Sequence, residues 1–351
     1  MSMTGSVRLD DTFWVWCGRA NQDSLQVVRK FFAEEGETRS LELLKWQYLE
    51  RLGGSYVSIA HTSDGVEDGA ASLYAALPSL VQWGEEVVSS VQSFDSITSK
   101  RFRGKGLFSR LGNFTYRRFQ DEGVRFVYGI PNESINNARI TQLGWQSLDP
   151  LPFTVRPIGL RYLRVRTRIR RPSIVARSVS NELGRIRKVG ICPPDVTGLL
   201  HRSELAGRIG VRRDHQYLAW RLARPGSSYS HYECRSSSGE LIGYAVYELV
   251  LKHGCATGYL MELISDVRHP AAIDELADAV LLDMKSRGAD IALAWWMESS
   301  GTARALRRHG FISLPERFRP IHLHLGYRFL GDGHILKRDE FSFSYLDSDT
   351  V

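Results

Sequence analysis

The chain has 351 residues, 43% of them hydrophobic, and a formal net charge of +7. That length exceeds one typical domain and suits two, each large enough to bury a core. No run of eighteen apolar residues occurs and Met1 to Ser6 opens no signal peptide, so no membrane span and a cytoplasmic protein are expected.

The first element in chain order is a short amphipathic helix, Leu41 to Leu49, carrying Trp46. Strands are predicted at Ser55 to Ala60 and from Ala70 to Leu77, joined through the turn Asp64-Gly65, and a third at Val87 to Phe94. There follows Lys100-Arg101-Phe102-Arg103-Gly104-Lys105-Gly106-Leu107-Phe108, four cations around two glycines. A helical pattern with Leu107, Phe108, Leu111, Phe114 and Thr115 on one side comes next. Strand, glycine turn and helix N-terminus together can hold a pyrophosphate, because several backbone N–H groups there lack intrahelical partners and the helix dipole favours an anion. Glycine at 104 and 106 permits close backbone approach. Neither a Gly-x-Gly-x-x-Gly with a later acid nor a Gly-Lys-Ser/Thr is present, which sets aside the dinucleotide and P-loop readings.

Arg125 to Asn132 reads as another strand ending in Pro131-Asn132, followed by a helix closed by Leu143-Gly144-Trp145. Between Arg156 and Lys188 stand eleven basic residues and one acid, Glu182. There Arg164, Arg166, Arg168 and Arg170 alternate with Val165, Thr167 and Ile169, the period of a strand with a cationic face. Such a face suits a connecting strand or a surface for a phosphorylated partner; no aromatic-rich nucleic-acid motif accompanies it. Cys17, Cys192, Cys234 and Cys255 lack metal or disulfide spacing, so buried free thiols and no metal are expected. His322 and His324 read as one face of a strand.

The second half repeats the first. The helix with Trp46 recurs at Asp214 to Leu222 with Trp220, the strands recur at Tyr229 to Cys234 and Leu241 to Leu249, and the turn recurs as Ser238-Gly239. Asn137-Ala138-Arg139 to Gly144-Trp145 is echoed by Thr302-Ala303-Arg304 to Gly310-Phe311. After the strand Gly258 to Ser265, however, stands Asp266-Val267-Arg268-His269-Pro270, without the glycine turn. The expected fold class is therefore α/β: two tandem units, each a mixed, mostly antiparallel sheet flanked by helices, the second degenerate. The expected division is 1–160, a basic linker or strand 161–190, and 191–351. Trp220, Tyr259, Glu262, Trp295 and Trp296 of the second unit are either acceptor-pocket walls or core.

On these residues the sequence resembles the GNAT superfamily of N-acetyltransferases. Arg101-x-x-Gly104-x-Gly106 matches its acetyl-CoA pyrophosphate motif, and Asn137-Ala138 through Gly144-Trp145 resembles the segment that follows it. Asp95 to Phe108, Tyr128 to Ser134 and the aromatic, Asp-rich Phe341 to Asp349 look like a bacterial tandem-GNAT group associated with polysaccharide and modified-sugar pathways. The resemblance implies acetyl-CoA as donor, no metal, and a small-molecule amine acceptor, such as an amino sugar or amino-acid derivative. It places Ser96, Ile97 and Thr98 against the pantetheine and Arg103, Gly104, Lys105, Gly106, Leu107 and Phe108 against the pyrophosphate, with Asn132 also in the CoA-binding set. Asp95 is the candidate general base, Glu262 an alternative, and Ser134 a hydroxyl near the site. Many GNAT enzymes carry a tyrosine four residues before the Gly-aromatic pair, suited to protonate the thiolate; this chain has Ile140. Two alternatives stay open: a Fem-type aminoacyl transferase using charged tRNA, motivated by the basic segment, and a non-catalytic CoA-binding regulator, motivated by the missing tyrosine. The oligomeric state is left open, a homodimer being one option.

Overall fold

The computed structural model describes residues 5–159 and 185–348, apart from 52, 253, 298–299, 320–321, 323 and 334. The alternating arginines from 164 to 170 lie outside the described residues.

In chain order the first half comprises β1 (Val7–Arg8), β2 (Trp14–Arg19), α1 (Gln22–Glu34), α2 (Leu41–Tyr48), β3 (Tyr56–His61), β4 (Ala70–Trp83), β5 (Glu86–Thr98), α3 (Leu107–Asp121), β6 (Phe126–Gly129), α4 (Glu133–Leu143), β7 (Gln146–Pro150) and β8 (Thr154–Pro157). The second half adds β9 (Ile186–Val189), α5 (Val196–His201), β10 (Ile209–Val211), α6 (His215–Arg221), β11 (Tyr229–Arg235), β12 (Leu241–Lys252), β13 (Cys255–Ser265), α7 (Ala271–Ser286), β14 (Ile291–Ala294), α8 (Gly301–Arg308), β15 (Ile312–Ser313) and β16 (His324–Phe329). Among the described residues these strands form two sheets. The first runs β1-β2-β3-β4-β5-β6-β16-β7, with β10 also paired to β4; the second runs β15-β8-β14-β13-β12-β11-β9.

The sheets do not follow the division expected at 160 and 191. Thr154–Pro157 pairs with β14 in the second sheet, and β16 enters the first sheet between β6 and β7. The reason is physical: β6 and β14 are four-residue strands that would otherwise expose sheet edges, and an exchanged strand covers each. Each half is thus completed by the other.

The halves meet reciprocally at the repeated tryptophans. Trp46 and Trp220 stack with ring centroids 4.8 Å apart and planes inclined by 8°. Each indole N–H donates to the other residue's carbonyl oxygen, at 2.8 and 3.1 Å. Their amphipathic helices explain the meeting: Ser40 and Asp214 cap α2 and α6 through their side chains, and both tryptophans emerge from the same turn. One core lies between the sheets, where Val81, Phe126 and Tyr128 meet Tyr259, Trp295 and the C-terminal Phe343, Tyr345 and Leu346. A second, with Val91, Leu111, Phe119, Val127 and Trp145, lies under α3 and α4. The second-half aromatics Tyr259, Trp295 and Trp296 are buried in core, Trp295 stacking on Tyr345 at 4.0 Å.

Candidate functional site

Strand β5 is longer than its apolar pattern suggests, because it runs through the polar Asp95 to Thr98. Its parallel pairing with β6 stops at Gln92↔Tyr128, and the two strands then part. Pairing with β4 continues on the other side, but the register jumps from Ala76↔Ser93 to Tyr74↔Ser96, leaving a bulge at Phe94-Asp95. Past the bulge, the Ser99 N–H donates to the Ala71 carbonyl at 2.9 Å. Antiparallel alternation then directs the backbone groups of Ser96 and Thr98 away from β4, into the cleft where β6 has left. The Ser96 hydroxyl in this cleft is buried without a hydrogen-bond partner among the described residues.

The chain next turns through Ser99 to Gly106 onto α3. Gly104 and Gly106 hold φ of +77° and +68°, and a Cβ on Gly104 would point into open space. Gly106 is the N-cap of α3 in left-handed geometry, so no side chain covers the helix start. Among the described residues, nothing accepts the N–H groups of Gly104, Lys105, Gly106, Leu107 or Phe108. The loop's shape is fixed from behind. Arg103 Nε donates to the Thr98 carbonyl at 3.3 Å, Arg110 Nη2 donates to the Lys105 carbonyl at 2.7 Å, and Phe102 packs edge-on against Phe13. Arg110 also pairs with Asp10. Residues 96–98 and 103–108 are therefore brought together along one cleft and its mouth.

The three residues nominated for catalysis are not brought together. Asp95 sits at the bulge on the opposite face, buried, with both oxygens engaged: Arg39 Nη1 and Nη2 donate to them at 2.7 and 2.9 Å, and Tyr48 Oη donates at 2.7 Å. Burial works against the Arg39 charge, but Asp95 more than offsets it and the Arg39 pKa is raised; burial, then Asp95, pushes Tyr48 well above its ordinary value. Glu262 occupies the matching bulge of β13, where Val246↔Glu262 is followed by Tyr247↔Leu260. It is 1% exposed, its Oε2 3.2 Å from Arg213 Nε, and burial raises its pKa. Arg213 also pairs with Asp347. Ser134 is exposed in the first turn of α4, and Asn132 caps that helix, its Oδ1 accepting from the Ile135 N–H at 3.1 Å.

The repeat held a signal for these ion pairs. Arg39 and Arg213 each stand two residues before the repeated helix, as Asp95 and Glu262 each sit at the bulge. Each arginine–carboxylate pair ties a helix start to a strand bulge.

Where β5 and β6 part, α4 supplies a residue that the sequence reading quoted but did not assign. Arg139 is 3% exposed, and its Nη2 donates to Ser93 Oγ at 2.8 Å. Its guanidinium lies over the Trp145 ring at 4.4 Å and against Gly129, where a Cβ would come within 2.8 Å of Nη1. Its Nε has no partner, and among the described residues no carboxylate pairs with it. Beneath it Tyr74 Oη and Tyr116 Oη are 3.0 Å apart, and Trp145 Nε1 donates to Tyr116 Oη at 2.7 Å.

The corresponding cleft of the second half is closed by the chain itself. β13 and β14 part after Leu260↔Ala294, but Ser203 bridges to Asp266 in antiparallel fashion and the Val267 N–H donates to the Arg202 carbonyl at 2.9 Å. The Glu204 carboxylate accepts from the Gly301 and Thr302 N–H groups at 2.5 and 3.1 Å and from Thr302 Oγ1 at 2.9 Å, filling the N-terminus of α8. A cavity of about 290 Å³ remains beside this plug, lined by Glu204, Asp266, Pro270, Thr302, Arg304 and Arg308. Another of about 420 Å³ lies between the β4–β5 hairpin and the Thr197 to Asp214 stretch. It borders Val87 at the start of β5, six residues or about 20 Å along the strand from Ser93.

Comparison with solved structures identifies the architecture as that of the GCN5-related N-acetyltransferases. A GCN5-related N-acetyltransferase from Anabaena variabilis aligns at 11% identity over 90% of this chain and 73% of its own, with a TM-score of 0.63. A probable N-acyltransferase from Enterococcus faecalis V583 aligns at 14% over 91% and 73%, with a TM-score of 0.62. Saccharomyces cerevisiae N-myristoyltransferase with bound myristoyl-CoA aligns at 14% over 99% and 92%, with a TM-score of 0.59. At these identities the likeness establishes the GNAT fold. No protein-family model and no curated protein matches the sequence. Among the described residues no helix is long and apolar enough to cross a membrane.

Proposed function

We propose that the protein transfers a short acyl group, acetyl being the first choice, from a CoA thioester to a primary amine of a small acceptor such as an amino sugar or amino-acid derivative. The observation that carries this is the open strand edge of the first half: backbone groups of Ser96 and the Thr98 N–H directed away from β4, the orphan Ser96 hydroxyl, and the free N–H groups of Gly104 to Phe108 at the helix start that follows. An extended amide-bearing arm suits the strand edge, and a pyrophosphate suits the helix start.

In this reading position is the main catalytic contribution. Ser96, Ile97 and Thr98 hold the pantetheine, and Arg103 to Phe108 hold the pyrophosphate, with Lys100 and Arg101 adding positive potential. Asp95 adjoins the cleft segment in sequence but faces the other side of the sheet, where Arg39 and Tyr48 occupy both its oxygens. It therefore holds the bulge to the start of α2 instead of taking the amine's proton, which leaves through solvent. Glu262 and Ser134 lie apart from the cleft. One cleft per chain is expected to act, since Ser203 and Glu204 fill the other.

Calorimetry with acetyl-CoA, followed by an amine panel read by mass spectrometry and thiol release, tests the proposal. Saturable binding of one acetyl-CoA per chain and acylation of a member of the panel are expected. Absence of CoA binding across a range of salt would overturn it.

A further inference from the structure

The missing tyrosine leaves the departing thiolate without an evident partner, and the fold answers that gap with a different residue. Ile140, the residue at the tyrosine position, is 39% exposed on the outside of α4. Its neighbour Arg139 turns inward and ends at the fork of β5 and β6, between Ser93 and Gly129.

A buried guanidinium normally has a carboxylate beside it, because an isolated charge in a dry interior is costly. Arg213, 2% exposed, faces Glu262 and Asp347, and the partly buried Arg39 faces Asp95; Arg221, 3% exposed, donates from Nε, Nη1 and Nη2 to the Leu346 carbonyl, the Tyr229 hydroxyl and the Ser348 carbonyl. Arg139 has instead a serine hydroxyl and a tryptophan face, with its Nε unpartnered. Tyr74 and Tyr116 are the titratable groups near it, with Arg328 beyond the Tyr116 ring; burial raises both phenols, so they are neutral and supply no anion. A positive charge is thus held ready where β5 begins its unpaired edge.

We propose that Arg139 is a catalytic residue that stabilises the CoA thiolate as it leaves. The inference rests on the acyltransferase reading. In the step itself the amine nitrogen attacks the thioester carbonyl, the C–N bond forms, and the C–S bond breaks with its electron pair on sulfur. The nitrogen's proton passes to solvent, and the thiolate remains paired with Arg139 until release. No proton donor is needed for departure, because an arginine holds its proton throughout and acts by charge and hydrogen bonding.

The test needs no acceptor. A cation beside the bound sulfur lowers its thiol pKa, so CoA should bind more tightly as pH rises toward the ordinary thiol value of about 8.5, whereas desulfo-CoA should not. The CoA-to-desulfo-CoA affinity ratio in the full-length protein, measured by calorimetry from pH 6 to 9, is expected to rise between the lowered thiol pKa of bound CoA and the free value, with a limiting slope of about tenfold per pH unit. Arg139→Met should flatten the ratio and Arg139→Lys should keep most of its slope, each variant checked for folding by circular dichroism. A flat ratio in the unaltered protein overturns the role of Arg139 whatever the variants do. So does an undiminished slope in a folded Arg139→Met. No CoA binding at all would overturn the acyltransferase reading and this assignment with it.

Discussion

The two halves share a scaffold and differ in what fills the cleft. In the first, β5 continues past the fork with open backbone groups and leads to a glycine turn whose N–H groups are free. In the second, the strand edge is paired by Ser203 and the neighbouring helix start is covered by Glu204. The arginines of the repeated Ala-Arg dipeptide separate in the same way: Arg139 is buried in the first cleft, and Arg304 is exposed at the rim of the second. The second half thus keeps the shared scaffold with an extended segment and a carboxylate of its own chain in the place that the first half leaves open. What both halves retain is the buried arginine–carboxylate pair at the bulge, which is a scaffold feature for that reason.

The largest effect should come from breaking that shared scaffold. Arg213→Met leaves Glu262 and Asp347 buried without their cation, and removing one partner of a buried pair costs about 3–5 kcal/mol. Urea unfolding should show a loss of that order. Arg39→Met should cost less, because Arg39 is 18% exposed in its side chain and water reaches the pair. Equal losses would mean that the exposure of Arg39 does not weaken its pair, and no loss in Arg39→Met would mean that the two pairs do not serve the same role.

Next in size is the open cleft. Gly106→Val must adopt φ near +68° and place a side chain at the start of α3, and left-handed strain alone is about 1–2 kcal/mol. Acetyl-CoA affinity should fall at least about tenfold, because the added side chain stands at the helix start and a loop that relaxes the strain no longer aims its N–H groups at one spot. Substituting Pro270 in the second half should leave it unchanged. If both changes weaken binding alike, the site is shared between the halves and the contrast fails.

The closed cleft gives the converse. Glu204→Ala uncovers the start of α8 and should destabilise the protein by about 1–2 kcal/mol, the range for a lost helix cap. Binding stoichiometry by calorimetry should remain one CoA per chain, because the glycine turn is still absent. A second CoA bound by that variant would show that the plug alone silences the second half.

How much of this was legible follows from range in the sequence. The turn at Gly104 and Gly106 and its flanking strand and helix are local signals, and they appear where the sequence places them. The repeat was legible from its tryptophans and from the Ala-Arg echo, and the same spacing carried Arg39 and Arg213. The strand exchange was not, because a four-residue strand such as Thr154–Pro157 pairs equally well by pattern with a neighbour in either half. Nor was the burial of Arg139 against the exposure of Ile140, which depends on how α4 is rotated over the fork. Glu204 has no local signature; its role exists only through the approach of Gly301, 97 residues away.

The smallest effect, between pH 7 and 6, concerns acid. On β11 of the second half His231 is buried, its Nδ1 2.8 Å from Tyr244 Oη, and desolvation lowers its pKa to about 4. The corresponding strand of the first half buries Val57 and Ile59. Because the folded pKa lies below the unfolded value of about 6.5, the unfolded chain binds the proton first as pH falls. The contribution of neutral His231 is therefore complete above pH 6.5 and is lost progressively down to pH 4, by at most about 1.4 kcal/mol per pH unit. Urea melts at pH 7, 6 and 5 should show this slope, and His231→Val should flatten it at some cost at pH 7, where the Tyr244 hydroxyl loses its partner. If the slope persists in the variant, the acid sensitivity belongs to groups common to both halves and not to the second half's own core.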